Sequence, residues 1–522
     1  LSNLIISSNE TSGYGGGMYN GSFSSPTLTN VTFSANKTLS YGGGMYNNSS
    51  NPTLTNVTFS GNQAISFGYG GGMYNDGSSP KLTNVTFSSN TTVNNGGGMF
   101  NKNSSKPVLT DVTFQGNSVS SHGAGIYNDN SSPTLINVAF NNNSASGYSG
   151  GIYDTSSNPT LTDVTFSVNS GAYGGGMYNY TSSPVLKDVT FNTNVASIGG
   201  GVYNYSSSPT LTNATFSANT ASLSGPAMDN ESGSSPFIYD SIFWNDSSGE
   251  IWNTSPGLTI ANSIVAGGCP GGSTCSNVFN VIPILGPLQN NGGFTKTMAL
   301  GAGSAAIDAG NNATCAPKDQ RGIARPQGAA CDMGAYEVKV MTFTSVGTYD
   351  GWILESAKAS NIGGSLNSTN TTLRVGDDSS NKRYRGFLSF NTAPLPDGAA
   401  VVQAEVRVKK QSMVGNPFGT QGNLLADVVK PYFGSSLALV ASDWQAAATV
   451  SSVGSFLPDG LSYWTPLNSS GRTNINKTGT TQFRLRFSTD AYNAKADYLA
   501  LYSGDYTTNL SYRPLLIVYY NP

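Results

Sequence analysis

The side chains with the clearest chemical potential in this 522-residue chain are Asp163 and Asp188, which recur at the same place in successive copies of an internal repeat. Two carboxylates held ~5 Å apart cleave a glycosidic bond by double displacement, one as nucleophile and one as general acid and base. Elsewhere that column holds mostly asparagine, and neither a cation nor an aromatic platform accompanies the pair, so it reads as a backbone position. Holding an acidic polysaccharide calls for Arg or Lys, yet no arginine precedes Arg321 and the first 266 residues hold five lysines. The single histidine, His122, occupies an ordinary repeat position before "GAGIYN" and reads as a surface residue rather than a proton shuttle. An enzyme is therefore not expected, nor a cofactor, nor a metal.

Cys269, Cys275, Cys315 and Cys331 lack the His or CxxC spacing of a zinc site. They read as two local disulfides, Cys269 with Cys275 and Cys315 with Cys331, which places the chain in an oxidising compartment. Charged residues make up 10% and the net charge is −3, with no basic run to track phosphates, so nucleic acid is excluded as a partner. No apolar stretch reaches the ~20 residues of a membrane-spanning helix. The start at Leu1 is expected to reflect processing or truncation, with any export signal out of view.

The repeat places Phe33, Phe59, Phe87, Phe114, Phe140, Phe166, Phe191, Phe216 and Phe243 at steps of 25 to 28 residues. Ile6 and Val265 extend the series to about eleven copies. Such a period means a solenoid. The copies are rich in Gly, Asn, Ser and Thr and broken by Pro, which disfavours helices. "PTLTNVTF" and "GGGMYN" instead read as short strands, so the expected fold is all-β, a parallel β-helix. Inward parity switches between Leu28 and Val31, so the strand bends at Asn30, where Asn tolerates the left-handed backbone. The bend column is Asn30, Asn56, Asn84, Asp111, Asn137, Asp163, Asp188, Asn213, Asp240 and Asn262. In "GGGMYN" the Met position points inward, the glycines let the wall pass close to the core, and the Tyr position forms an aromatic stack. Eleven rungs ~4.8 Å apart make a rod on the order of 50 Å long.

Through "TLTNVTFSxN" and "GGGMYN", residues 1–266 resemble the right-handed β-helix repeats of pectin-lyase-like and polymorphic outer-membrane proteins. Residues 267–340 are similar to the choice-of-anchor Q module, on "SAAIDAG", "DQRGIARP" and "CDMGAYE". That resemblance implies a place at or outside a bacterial-type cell surface. Physically the segment is expected to cap the open solenoid end, with Asp308, Asp319, Arg321, Arg325 and Asp332 as an ion-pair cluster.

Residues 341–522 change to alternating strands such as "RGFLSFN", "AEVRVKK" and "QFRLRFS", which predict an antiparallel, jelly-roll-like β-sandwich. "TTLRVGDDSSNKRYRGFLSFNTAPLPDGAAVVQAEVRV" and "LALYSGDYTTNLSYRPLLIVYY" resemble the DNRLRE family, which implies a link to carbohydrate binding. Trp352, Trp444 and Trp464 are the candidate sugar-stacking rings. Among the sequons, those of Asn30, Asn56 and Asn84 fall on the bend ladder, whereas Asn36 and Asn90 are expected in loops open to glycosylation. "LSNLII" enters the repeat in mid-rung, which suggests a missing upstream segment or a second copy covering the end. The expectation is a non-catalytic extracellular surface protein, structural or adhesive, polymerising head to tail with itself. The alternative is a polysaccharide-binding or polysaccharide-degrading surface protein.

Overall fold

A computed structural model of the chain describes every residue except Ser248 and Tyr492. The chain divides into two compact units, Leu1–Glu337 and Val338–Pro522.

The first unit winds through three parallel sheets. One, the Phe sheet, stacks Ser2–Ser7, Thr27–Ser34, Thr53–Ser60, Lys81–Ser88 and their successors through Thr259–Val265, giving eleven levels among the described residues. A second, the Tyr sheet, stacks ten strands from Met18–Asn20 to Ile251–Asn253. Two-residue strands such as Lys37–Thr38 and Gln63–Ala64 form a third, narrow sheet. Register is strict, with Leu28, Val31 and Phe33 opposite Leu54, Val57 and Phe59.

Each expected bend residue has left-handed backbone, from Asn30 at φ +55° to Asn262 at φ +49°. The bend turns both Leu28 and Phe33 inward, where Leu, Val, Phe and Met of every rung form one core. The Phe rings lie in single file, Phe33 on Phe59 at 4.8 Å and Phe166 on Phe191 at 4.6 Å. A Cβ on Gly44 would lie 2.6 Å from the Gly72 carbonyl and 2.8 Å from the Phe59 ring. Only glycine lets the wall come that close to the filled interior.

Asn36 and Asn90 do lie in turns between strands, but the expectation that they are open to glycosylation is wrong. Both are fully buried members of an internal ladder through Asn62, Asn117, Asn143, Asn169, Asn194 and Asn219. Asn36 Nδ2 donates to Asn62 Oδ1 at 2.9 Å, and Asn62 Nδ2 donates both to Asn90 Oδ1 and to the Phe33 carbonyl, each at 2.9 Å. A buried turn must satisfy its backbone groups, and the amide does so from rung to rung. The asparagine of "MYN" forms a second buried ladder, as in Asn47 to Asn75 at 2.8 Å.

The boundary at 266 and the end-cap expectation also need correction. Thr274–Phe279 adds to the Phe sheet beside Thr259–Val265, so the solenoid continues past 266, with the Cys269–Cys275 disulfide in the connecting turn. Residues 281–337 then run back along the outer face of the Phe sheet as a lateral strap, held by side chains of Thr165, Asp188, Thr190, Asn213, Thr215 and Asp240. The strap contains the Cys315–Cys331 disulfide.

The second unit is an antiparallel sandwich. Its long strand Ala400–Val414 pairs through its first part with Leu515–Asn521 and through its end with Asp497–Tyr502, joining the two sheets. Val406 and Val518 from one sheet pack with Leu388, Leu485 and Leu501 from the other in a common core.

Candidate functional site

Asp163 and Asp188 do share a column, and the space before them is occupied by the strap. Thr165 and Thr190 point outward from the same strands because their parity is opposite to that of Val164 and Phe166. Gln320 joins both: its Nε2 donates to Thr165 Oγ1 at 2.7 Å and its Oε1 accepts from Thr190 at 2.7 Å. Thr295 donates to the Asp163 carbonyl at 3.3 Å. Arg325 forms ion pairs with Asp188 at 3.3 Å and Glu337 at 3.1 Å, and donates to the carbonyls of Asp332 and Gly334 at 2.7 Å each.

Electrostatics follow from this enclosure. Burial, with help from the nearby Asp319 charge, pushes the Asp163 carboxyl up to about 6. Burial also lifts Asp188 well above the ordinary carboxylate range, against the pull of Arg325. A raised acid beside a second carboxylate is what glycoside cleavage requires. Asp188 is only 2% exposed, however, and its Oδ1 is engaged by the Arg325 guanidinium. The pair is the seat of the strap.

The expected charge cluster separates into two. Asp319 accepts from Arg321 at 2.6 Å, with the Arg321 guanidinium 3.5 Å above the Tyr336 ring, and Arg325 joins Asp188 and Glu337. Asp332 caps the backbone N–H of Asp308 at 2.8 Å. Sequence reasoning missed Asp188 and Gln320 as partners because strap and solenoid meet across more than 100 residues of chain, and it passed over Glu337, only 12 residues from Arg325 within the strap.

His122 lies half-buried in an aromatic column beside the Tyr sheet rather than at the open surface. Its ring stacks on Tyr148 at 4.4 Å and its Nδ1 accepts the Tyr148 N–H at 3.0 Å. Burial lowers its pKa from the ordinary histidine value. The sequons are inverted relative to expectation: Asn30, Asn56 and Asn84 are exposed, linked Nδ2 to Oδ1 along the outside of the bend, and Asn36 and Asn90 are inside.

The tryptophans do not assemble into one platform. Trp444 is 1% exposed, packed with Ile353, Phe387 and Phe433, so its candidacy as a sugar-stacking ring fails on access. Trp352 is half-buried with its edge toward Tyr384 at 5.1 Å. Trp464 is half-buried on Ser462–Pro466, in the opposite sheet of the sandwich. Among the described residues no group of three or more His, Cys, Asp or Glu side chains is placed to hold a metal, and no helix is long and apolar enough to cross a membrane.

A parallel coil of three sheets, filled by in-register ladders and strapped along one face, defines the class as a β-solenoid. The family model described as "right handed beta helix region" matches residues 1–145 and 103–265, half of the chain, and this chain belongs to that right-handed β-helix family. A comparison with curated proteins finds no match. Among solved structures, the enzymatically active domain of tailspike protein 4 from bacteriophage CBA120 is similar at 10% identity, with a TM-score of 0.21. The alignment covers 91% of this chain and 54% of that one, so the chain spans about half its length. A likeness that loose carries no argument about activity.

Proposed function

We propose that this chain is a non-catalytic extracellular surface protein, structural or adhesive, whose solenoid joins head to tail with other copies. The observation that carries the reading is the burial of Asp188 against Arg325, with Thr295 of the strap on the backbone of Asp163, which takes the one adjacent carboxylate pair of the repeat column out of open reach. Disulfides at Cys269–Cys275 and Cys315–Cys331 support an oxidising, extracellular setting. Parallel strands in strict register support end-to-end growth, because strand addition at a sheet edge repeats the geometry already present between rungs. The rival reading, a polysaccharide-degrading surface protein, draws on the raised Asp163 carboxyl.

The test is incubation of the full chain with acidic and neutral polysaccharides, following polymer length by size-exclusion chromatography, beside electron microscopy of the purified protein. Unchanged polymers and regular filaments are expected. Shortened polymers, with the activity abolished in the Asp163→Asn/Asp188→Asn double variant, would establish the rival.

A further inference from the structure

The sandwich unit carries a cluster of arginines that none of the preceding observations uses. Arg383 and Arg385 share one face of the strand Arg383–Asn391, and Arg484 and Arg486 share a face of the neighbouring strand Thr480–Phe487. The two strands pair from Gly386 opposite Leu485 to Asn391 opposite Thr480. At Arg385 and Arg486 they are no longer paired with each other, and a polar cleft of about 260 Å³ opens, lined by Arg383, Arg385, Arg486, Gln421 and Ser488, with one carboxylate, Asp490, at its wall held by Arg383.

The charges in this region do not balance. Arg383 pairs with Glu355 at 2.6 Å and with Asp490 at 3.0 Å, and Arg484 and Arg486 share Asp427, both at 3.0 Å. Four guanidinium groups thus meet three carboxylates. Among the described residues Arg385 has no carboxylate within ion-pair distance. Its guanidinium lies 3.7 Å over the Trp444 ring and donates to the Trp444 carbonyl. Burial and the neighbouring Arg484 and Arg383 charges push it down to about 9, against the weaker pull of Asp427, which is already shared by Arg484 and Arg486.

We infer that this cleft is an oxyanion-binding site, taking a carboxylate or sulfate group against Arg385 with Arg383 and Arg486 flanking it. A guanidinium presents a planar fork of donors suited to such oxygens. An arriving anion supplies the missing charge and shares the low-dielectric surroundings that make an uncompensated cation costly. The cleft is smaller than a typical drug-sized pocket of roughly 300–1,000 Å³, so it admits one sugar-sized or smaller group rather than an extended chain. This is separate from the solenoid, and its failure would leave the proposal for the rod standing.

The test is a tryptophan-fluorescence titration of the full chain, since Trp444 contacts Arg385, with inorganic sulfate, galacturonate, oligogalacturonate and neutral maltooligosaccharide as probes. Saturable binding of sulfate and of the uronates is expected, weakened by added salt and absent for the maltooligosaccharide. Arg385→Gln is expected to weaken it at least tenfold and Arg385→Lys to weaken it less, with thermal unfolding recorded for both to confirm folding. Oligogalacturonate binding tighter than sulfate assigns the site to sugar-borne acids, and equal binding assigns it to free anions. No saturable signal, equal binding of the neutral probe, or a folded Arg385→Gln variant that binds as the parent does would overturn the inference.

Discussion

Replacing Asp154 by asparagine is expected to stabilise the solenoid, by an amount that depends on pH in a calculable way. In the ladder of "MYN" amides, each Nδ2 donates to the Oδ1 of the next rung, as in Asn101 to Asn128 at 2.8 Å. Asn128 donates likewise to Asp154 Oδ1 at 2.7 Å. Asp154 has no Nδ2, and the next rung partner is Asn179. Asp154 Oδ2 and Asn179 Oδ1 are both buried without a partner, two acceptors where the rungs on either side, Asn101 to Asn128 and Asn179 to Asn204, each join a donor to an acceptor. A neutral carboxyl restores the missing donor through its O–H, and burial pushes the group from 3.8 up to about 8.

The sign follows from linkage. A carboxyl whose folded pKa is raised holds its proton in the folded state and loses it in the unfolded state once the pH passes 3.8. Folding is therefore penalised progressively between pH 4 and pH 8, at about 1.36 kcal/mol per unit. At pH 7 the penalty is about 4 kcal/mol, on the 3.2 units separating that pH from 3.8. Asparagine carries the donor permanently and does not titrate, so Asp154→Asn recovers this amount at pH 7 and almost nothing at pH 4. For the 337-residue first unit, 4 kcal/mol raises the unfolding midpoint by about 6 °C. Thermal unfolding of parent and variant at pH 4, 5, 6, 7 and 8 measures it, and other buried acids cancel because both proteins contain them. A difference that stays constant with pH, or an asparagine variant less stable at pH 7, would refute the ladder argument.

Arg325→Met would leave Asp188 and Glu337 buried without their cation, at a cost of about 3–5 kcal/mol, and limited proteolysis should then cut within residues 281–337 before the solenoid itself. Phe140→Ala would remove one ring from the single file between Phe114 and Phe166, costing about 3–5 kcal/mol in urea unfolding, whereas a loss below about 1 kcal/mol would mean that the rungs close over the gap. Expressed in a glycosylating host, the folded protein should carry no glycan at Asn36 or Asn90, since both amides are committed inside the coil. Glycopeptide mass spectrometry decides this, and substantial occupancy of either would contradict the buried ladder.

The winding of the chain was legible because repetition turns local parity into a global constraint. Leu28 and Phe33 must both face inward in every copy, and only a bend at Asn30 permits it. The residue type at the bend then follows from backbone geometry, which is why Asp replaces Asn there without disturbing the coil. The same reasoning misplaced Asn36 and Asn90, because polar residues in a turn ordinarily face water. The signal against that reading was present: an asparagine stands three residues after the phenylalanine at Asn36, Asn62, Asn90, Asn117, Asn143, Asn169, Asn194 and Asn219. Loop positions tolerate substitution, and a position that changes only to Asp246 in the copy of Phe243, where the carboxylate still accepts from Asn219 at 2.8 Å, is fixed by its hydrogen bonds.

The sites were harder to read for a reason that also follows from the repeat. Within the coil, neighbours along the axis are set by the period, so Asp163 beside Asp188 is visible in the sequence. Neighbours across the outer face are set by the path of the strap, which has no period, and Gln320 reaches Thr165 across 155 residues. The sandwich has no repeat at all. Strand parity in "RYRGF" and "FRLRF" places four arginines on one face, but the partners that neutralise three of them come from other strands and loops, Glu355, Asp427 and Asp490. Charge neutrality in a folded protein is settled in three dimensions, and the uncompensated Arg385 emerges only when those distances are known.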